Sequence, residues 1–223
     1  MGKIYLVRHG QASLGANNYD QLSALGVKQS FRLGEYFKER GIFLEAAYCG
    51  SLSRQQGTLS QILQGLEEPK INCTTIAALN EYDSHELIKS VHHGNIPNPS
   101  TPDGYKEFFR LLRLGLLQWM TNSVSPDNLP SFADFQEGII QALKNVQSSH
   151  KGAVLIVSSG GPISTALAYL LEASDSARIE LNLRLRNSSI SELSFNANAL
   201  SVISFNGLEH LSEPQYKDWI TYA

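Results

Sequence analysis

Residues 6–13 read LVRHGQAS and join the end of a β-forming run to a polar turn. The run begins at Lys3 with residues that favour a strand, and it stops at Arg8-His9-Gly10. We therefore expect the first strand to carry Arg8 and His9 to its carboxyl end. In an open α/β sheet, that end faces the edge where ligands bind.

Strand and helix patterns alternate along the rest of the chain. They predict helices over 24–40, 53–65, 105–120, 131–146 and 162–171, and strands over 46–49, 71–79, 153–157, 189–195 and 200–205. The apolar run 153–157 is suited to burial on both faces, which is typical of a parallel strand. This order predicts a three-layer α/β/α sandwich with a mostly parallel sheet, whose last two strands form an antiparallel edge.

The length of 223 residues suits a single domain over 1–223 that carries one insertion. Prolines and glycines interrupt residues 84–130 and break the alternation, which indicates an insertion that folds over a site as a cap. Its aromatic residues recur at helical spacing, which favours core packing over the lining of a pocket. They are Tyr105, Phe108, Phe109 and Trp119.

The composition excludes several classes of protein. A net charge of −3 gives no general attraction for nucleic acid or for an anionic membrane. The two cysteines, Cys49 and Cys73, are too few for a disulfide framework or a thiolate zinc cage. No apolar run approaches the length of a membrane span. We therefore expect a cytoplasmic protein with neither nucleic acid nor membrane as a partner, and no feature indicates an oligomeric state.

Polar clusters follow three of the predicted strands: residues 8–10, 51–54 and 158–161. Since the carboxyl ends of parallel strands share one edge of the sheet, we expect these clusters to converge. They would bring together two arginines, a histidine, hydroxyl groups and glycine amides. Guanidinium groups bind two phosphate oxygens at once, and amides at a helix start attract anions. Each cluster alone has an ordinary explanation as a turn or a cap, and only the combination predicts a phosphoryl site.

The same segments resemble the histidine phosphatase superfamily, which is also called phosphoglycerate-mutase-like. The resemblance is carried by residues 6–13, 20–29, 49–58, 79–81 and 154–162, in the family's order and over nearly the whole chain. It implies the phosphoglycerate-mutase-like form of the α/β/α sandwich. It also implies a reaction in which a phosphoryl group is carried on a histidine.

The resemblance assigns roles to individual residues. His9 is implied as the nucleophile that forms a phosphohistidine, Arg8 and Arg54 as the clamp on the transferring oxygens, and Glu81 as the acid that protonates the leaving group. The implied phosphate-binding set is completed by Ser159, Gly160, Gln11 and Ser13. A nucleophilic imidazole must be neutral, and two flanking guanidiniums disfavour its cation. Because the arginines supply the positive charge, no metal ion and no cofactor is expected.

Two positions depart from the family pattern. The family has a second histidine in the segment where this chain reads Val157-Ser158-Ser159-Gly160-Gly161, so Ser159 stands in its place. Serine keeps a hydrogen bond to phosphate but loses the charge, at a cost of roughly 10²–10³ in rate by analogy with an oxyanion-hole donor. On this basis Ser159→His is expected to raise turnover. Ala12 also replaces a threonine, for which Ser13 would compensate.

Three functions fit these residues. The first is a phosphatase that hydrolyses a phosphomonoester, either a small phosphorylated molecule or a phosphoprotein, with activity reduced by Ser159. The second is a catalytically impaired regulator that binds a phosphorylated ligand, and the third is a phosphoglycerate mutase. A metal site built from His85, His92 and His93 is disfavoured, because these histidines lie in a polar segment without a second cluster of ligands.

Overall fold

A computed structural model describes residues 1–12, 20–68 and 70–222. In these residues six strands form one sheet in the order β3-β2-β4-β1-β5-β6. The strands are β1 Gly2–Arg8, β2 Leu44–Cys49, β3 Cys73–Thr75, β4 Ala153–Ser158, β5 Ile190–Phe195 and β6 Leu200–Val202. The first four are parallel to one another, and β5 and β6 complete the sheet as antiparallel strands. The predicted mostly parallel sheet with an antiparallel edge is confirmed.

The helices of the described residues cover both faces of the sheet. They are α1 Ala24–Glu39, α2 Ser53–Leu66, α3 Ser84–Val91, α4 Pro102–Met120, α5 Phe132–Ser149, α6 Gly160–Leu170 and α7 Asp175–Arg184. Alternate residues of β1 point to opposite faces. Ile4 and Leu6 pack with α5 and α6, whereas Tyr5 and Val7 pack with α1 and α2. The result is the three-layer α/β/α sandwich that the sequence predicts.

Helices α1 and α2 approach closely because glycines face each other where they cross. A Cβ atom on Gly34 would lie 2.1 Å from the carbonyl oxygen of Ile62, and one on Gly65 would lie 2.2 Å from that of Phe31. Both distances are far inside van der Waals contact, and the obstructing atoms belong to the backbone. This close crossing packs the last turns of α2, the helix that carries Arg54, against α1.

Gly65→Ala is therefore expected to destabilise the fold by about 1–3 kcal/mol, as overpacking of a filled interior does. Gly57→Ala in the same helix is the matched control, because its new Cβ would meet only Leu22, at 3.4 Å. That change gains helix propensity, up to about 1 kcal/mol, and should leave stability unchanged or raised. Urea denaturation of both variants checks the contrast. Equal effects would contradict the close-packing account.

The segment 84–130 contributes α3 and α4 to a third apolar cluster, which also includes Ile179 from α7 and Phe132 from α5. Trp119 is fully buried in it and donates its indole N–H to the carbonyl oxygen of Pro130 at 3.0 Å. Phe108 is buried as well and Phe109 packs against the cluster, so core packing is confirmed for these three aromatics. For Tyr105 the prediction is wrong, because its side chain is 42% exposed. That this segment caps the site remains a prediction.

Strands β3 and β6 are shorter than the sequence predicts, and helices α3 and α7 were not predicted. The strand predicted over 71–79 covers only Cys73–Thr75, and residues Ala77–Leu79 form a short 3₁₀ helix. The chain turns there because the Leu79 side chain is buried and its carbonyl oxygen accepts hydrogen bonds from Gln55 and Ser158. Helix α7 was not predicted, because it buries little of its surface. In the described ranges no helix has the length and apolar character that crossing a bilayer requires.

Candidate active site

The backbone of His9 is fixed at the centre of the sheet. Arg8 on β1 pairs with Ser158 on β4, so the two strands end at the same level. The amide of His9 donates to the carbonyl oxygen of Ser158 at 2.9 Å, and its own carbonyl oxygen accepts from the amide of Ser188 at 3.2 Å. The ring is buried, since His9 is only 4% exposed.

The two ring nitrogens of His9 have partners of opposite kind. Nδ1 lies 2.8 Å from the carbonyl oxygen of Gly10, and Nε2 lies 3.2 Å from Nε of Arg54. A carbonyl oxygen only accepts hydrogen bonds and a guanidinium N–H only donates them. Nδ1 must therefore carry the proton, and Nε2 must present its lone pair. This is the tautomer that a nucleophilic imidazole needs.

The surroundings of His9 keep its ring uncharged. Burial, followed by the charges of Arg8 and Arg54, lowers the pKa of His9 well below its ordinary value. All three causes disfavour the imidazolium ion. The ring is thus neutral at physiological pH, as nucleophilic attack requires.

The guanidinium of Arg54 is held by an aspartate that also caps its helix. Asp20 Oδ1 accepts from NH1 of Arg54 at 2.7 Å, and Asp20 Oδ2 accepts from the amide of Ser53 at 2.8 Å. A carboxylate at the first turn of α2 also complements the helix dipole. Thr58, one turn along α2, accepts from the amide of Gly10 at 3.0 Å, which ties this helix to the His9 loop.

Arg8 reaches the site from the other side. It is buried at the end of β1, and its NH1 donates to the carbonyl oxygen of Leu185, directly after α7. The charges of Arg8 and Arg54 both act on His9 and on Glu81. The structure therefore brings together the four residues that the sequence nominates for catalysis.

Glu81 lies against the first turn of α6. The amide of Gly161 donates to both carboxylate oxygens at 3.1 Å, and the amide of Tyr82 donates to one of them at 3.3 Å. Burial raises the pKa of Glu81, although the Gly161 amide and the two arginines oppose the rise. A carboxyl group with a raised pKa holds a proton closer to neutral pH, which suits a general acid.

The remaining predicted residues take different places. Ser159 is fully buried at the N-cap of α6, where its hydroxyl oxygen accepts from Nε2 of Gln55 at 2.9 Å, and Gly160 begins that helix. The Gln11 side chain turns towards the start of α1, where its Oε1 accepts from the hydroxyl of Ser23 at 2.7 Å. Ser13 lies outside the described residues.

The histidines of the 84–130 segment lie in α3 or directly after it. His85 lies at the start of α3, with its ring 6.0 Å from that of Phe108. In the part of the chain that the structure describes, no group of three or more histidine, cysteine, aspartate or glutamate side chains has an arrangement that could hold a metal ion.

The model of the histidine phosphatase superfamily (branch 1) matches residues 4–207 of this chain. The chain belongs to the histidine phosphatase superfamily. The match includes the loop of His9, the start of α2, Glu81 and the β4–α6 turn, which are the parts that converge in the structure.

Among curated proteins of this superfamily, the chain is similar to 2,3-bisphosphoglycerate-dependent phosphoglycerate mutases. It is 33% identical to that of Afipia carboxidovorans over 90 residues, which cover 38% of this chain and 44% of the mutase. It is 34% identical to that of Rhizobium etli over 92 residues, which cover 39% of this chain and 44% of the mutase. The chain thus spans less than half the length of the curated relatives that it matches.

Solved structures share the fold over nearly the whole length of this chain. YhfR of Bacillus stearothermophilus aligns with a TM-score of 0.68 at 18% identity, over 94% of this chain and 99% of that one. A mycobacterial glucosyl-3-phosphoglycerate phosphatase solved with VO3 aligns with a TM-score of 0.66 at 19% identity, over 93% of this chain and 100% of that one. A phosphoserine phosphatase of Entamoeba histolytica in complex with 3-phosphoglyceric acid aligns with a TM-score of 0.65 at 20% identity, over 95% of this chain and 100% of that one. At these identities the likeness establishes the fold.

Asp20 and Gln55 lie beside the site, yet sequence reasoning gave neither a role. Asp20 lies within the family-like segment 20–29, but nothing in the pattern shows that it reaches Arg54 across 34 positions. Gln55 follows Arg54 directly, and a glutamine near a helix start usually faces solvent. Its complete burial was the unforeseen feature.

The opposed pKa shifts predict a pH profile for any reaction that uses neutral His9 and protonated Glu81. Activity should persist into acid, because the pKa of His9 is lowered, and should fall as pH rises through the raised pKa of Glu81. For an alkyl phosphate, Glu81→Gln should remove this alkaline limb and lower turnover by about 10²–10⁴. Steady-state rates with β-glycerophosphate across pH check this. An unchanged alkaline limb in the variant would exclude Glu81 as the acid.

Proposed function

We propose that this protein is a phosphomonoesterase that carries the phosphoryl group on Nε2 of His9. The observation that carries the proposal is the orientation of the imidazole. Gly10 holds the proton on Nδ1, so Nε2 keeps a lone pair. In the free protein this lone pair accepts from Nε of Arg54, and that hydrogen bond breaks as the lone pair forms its bond to phosphorus. Membership of the histidine phosphatase superfamily supports the same chemistry.

In the first step, the lone pair of Nε2 forms a bond to phosphorus while the bond between phosphorus and the ester oxygen breaks. Glu81 gives its proton to the departing alkoxide. In the second step, water attacks the phosphorus of the phosphohistidine, Glu81 takes a proton from that water, and the N–P bond breaks. Inorganic phosphate and neutral His9 are restored, so atoms and charges balance.

Arg8 and Arg54 supply the positive charge that this transfer needs. In the transition state, negative charge is spread over the three equatorial oxygens of the phosphoryl group. Both guanidiniums act on His9, and Arg54 exchanges its hydrogen bond to Nε2 for one to these oxygens as phosphorus approaches, so that their positive charge stabilises the transition state. The mechanism therefore proceeds without a metal ion. The proposed substrate is a small phosphorylated molecule or a phosphoprotein, in a cytoplasmic setting.

A second candidate is phosphoglycerate mutase activity, which the curated relatives favour through their names. It uses the same phosphohistidine but passes the phosphoryl group to a second hydroxyl instead of water. The replacement of a family histidine by Ser159 favours a third candidate, a protein that binds a phosphorylated ligand without turnover. Hydrolysis is preferred because His9, both arginines and Glu81 lie close enough to influence one another, which supports turnover, and water is the simplest acceptor.

The proposal predicts that the purified protein hydrolyses p-nitrophenyl phosphate and that His9→Ala reduces the rate to background. His150→Ala, which changes a histidine just before β4, at the opposite edge of the sheet from Ser158, is the matched control and should retain full activity. Because phosphohistidine is labile in acid, a base-quenched reaction with labelled substrate should show the label on His9. Label on Ser159 would refute the assigned nucleophile.

Two further assays separate the alternatives. Interconversion of 2- and 3-phosphoglycerate that outpaces their hydrolysis would identify a mutase. Binding of inorganic phosphate with no turnover of any phosphomonoester would identify a binding protein, and Arg8→Ala should then abolish the binding.

A further inference from the structure

We propose that Gln55 orients the hydroxyl of Ser159 so that it donates to the transferring phosphoryl group, in place of the second family histidine. The inference rests on the proposed function and adds a positioning residue to it. It concerns a pair of buried side chains rather than a single substitution. Both residues are fully excluded from solvent.

The direction of the hydrogen bond between the two side chains is fixed by a third group. Nε2 of Gln55 lies 2.9 Å from the carbonyl oxygen of Leu79 and 2.9 Å from Oγ of Ser159. A carbonyl oxygen only accepts, so the amide nitrogen, not the amide oxygen, must face Leu79 and Ser159. Both amide protons of Gln55 are then in use, and Oγ of Ser159 must be an acceptor.

An accepting hydroxyl keeps its own proton for another partner. Ser159 occupies the N-cap of α6, where a serine usually accepts from an amide of the first turn. It makes no such bond, because Pro162 has no N–H and the amide of Gly161 donates to Glu81. Within the described ranges, the hydroxyl of Ser159 donates to no residue. The proton of this buried hydroxyl is therefore engaged by no described residue, while Gln55 fixes the orientation of its oxygen.

The neighbours of this hydroxyl belong to the proposed site. The carbonyl oxygen of Ser158 accepts from the amide of His9, and the amide of Gly161 donates to the Glu81 carboxylate. On the other side of the pair, Gln55 directly follows Arg54 in α2. Ser159 thus belongs to the turn whose backbone contacts both His9 and Glu81, at the edge of the sheet where the proposed phosphoryl site lies. It supplies a hydrogen bond without a charge, which distinguishes this site from one with two histidines.

The pair also changes the expectation for Ser159→His. An imidazole extends well beyond the position of a serine hydroxyl, and here the Gln55 amide lies 2.9 Å from that hydroxyl in a filled interior. A histidine alone at position 159 meets Gln55, so the single substitution should fail to raise turnover. Replacing both residues, as in Gln55→Ala with Ser159→His, makes room for the ring and should exceed either single variant in kcat.

A double-mutant cycle on kcat tests the coupling. Gln55→Leu keeps the bulk of the side chain and removes the donor, and Ser159→Ala removes the hydroxyl. Ser159→Ala should lower kcat by roughly 10²-fold, in the range for loss of one oxyanion-hole donor. Gln55→Leu should lower kcat substantially in the wild-type background and have no further effect in the Ser159→Ala background. If Gln55 only supported Leu79, Gln55→Leu would lower stability by the same amount in both backgrounds. It would then also change kcat by the same factor in both.

Thermal denaturation of each variant, alone and with inorganic phosphate, accompanies the kinetics and shows that the variants fold. Equal effects of Gln55→Leu in both backgrounds, or higher kcat in Ser159→His alone than in the double variant, would overturn the inference. If wild type turns over no phosphomonoester, the proposed function fails instead. The cycle is then read from phosphate affinity, where the same pattern of coupling is expected and its absence again overturns the inference.

Discussion

The contact between the Arg54 guanidinium and Nε2 of His9 is the interaction on which the rest of the site depends. It directs a cation at the ring nitrogen that would otherwise take up a proton, in a place shielded from water. In such a place the electrostatic cost of an imidazolium is far higher than at the surface. Asp20 holds the guanidinium, Gly10 holds the opposite ring nitrogen, and the close crossing of α1 and α2 holds the helix from which Arg54 projects.

Burial and the arginines act differently on the two titrating groups. Burial lowers the pKa of His9 and raises that of Glu81, so it favours an unprotonated nucleophile and a protonated acid at the same pH. The charges of Arg8 and Arg54 strengthen the first effect and oppose the second. Glu81 keeps its raised pKa because desolvation outweighs its three amide contacts and the arginines together. Environments that shift the pKa values of two groups in opposite directions determine which group acts as the acid and which as the nucleophile.

The sequence predicts the sheet and the main helices well, because these elements depend on short-range sequence patterns. Apolar runs such as 153–157 and the alternation of strands and helices depend on short-range patterns, so the sheet and the main helices follow from them. The strand-end clusters around Arg8 and Arg54 also follow, because parallel strands place their carboxyl ends together. The nominated site residues could thus be found before their geometry was known.

Contacts between distant segments could not be predicted in this way. That Gln55 turns inward to Ser159, or that Asp20 reaches Arg54, depends on how α2 packs over the sheet. Helix α7 has only Arg178 and Ile179 buried, which leaves almost no apolar periodicity to detect, although Ser174 and Asp175 are a recognisable helix start. The expectation for Ser159→His is replaced by a different prediction for the same reason, since the neighbouring Gln55 side chain lies 104 positions away in sequence.

The central claim is that His9 is a neutral imidazole with its proton on Nδ1. Nitrogen-15 NMR of the histidine side chains, with the His9 signals assigned by comparison with His9→Ala, measures the tautomer and the protonation state together. A titration from neutral pH downward should show Nδ1 protonated and Nε2 unprotonated throughout, with no change at the ordinary pKa of histidine. A His9 ring that becomes doubly protonated near that ordinary pKa, or that carries its proton on Nε2, would contradict the account.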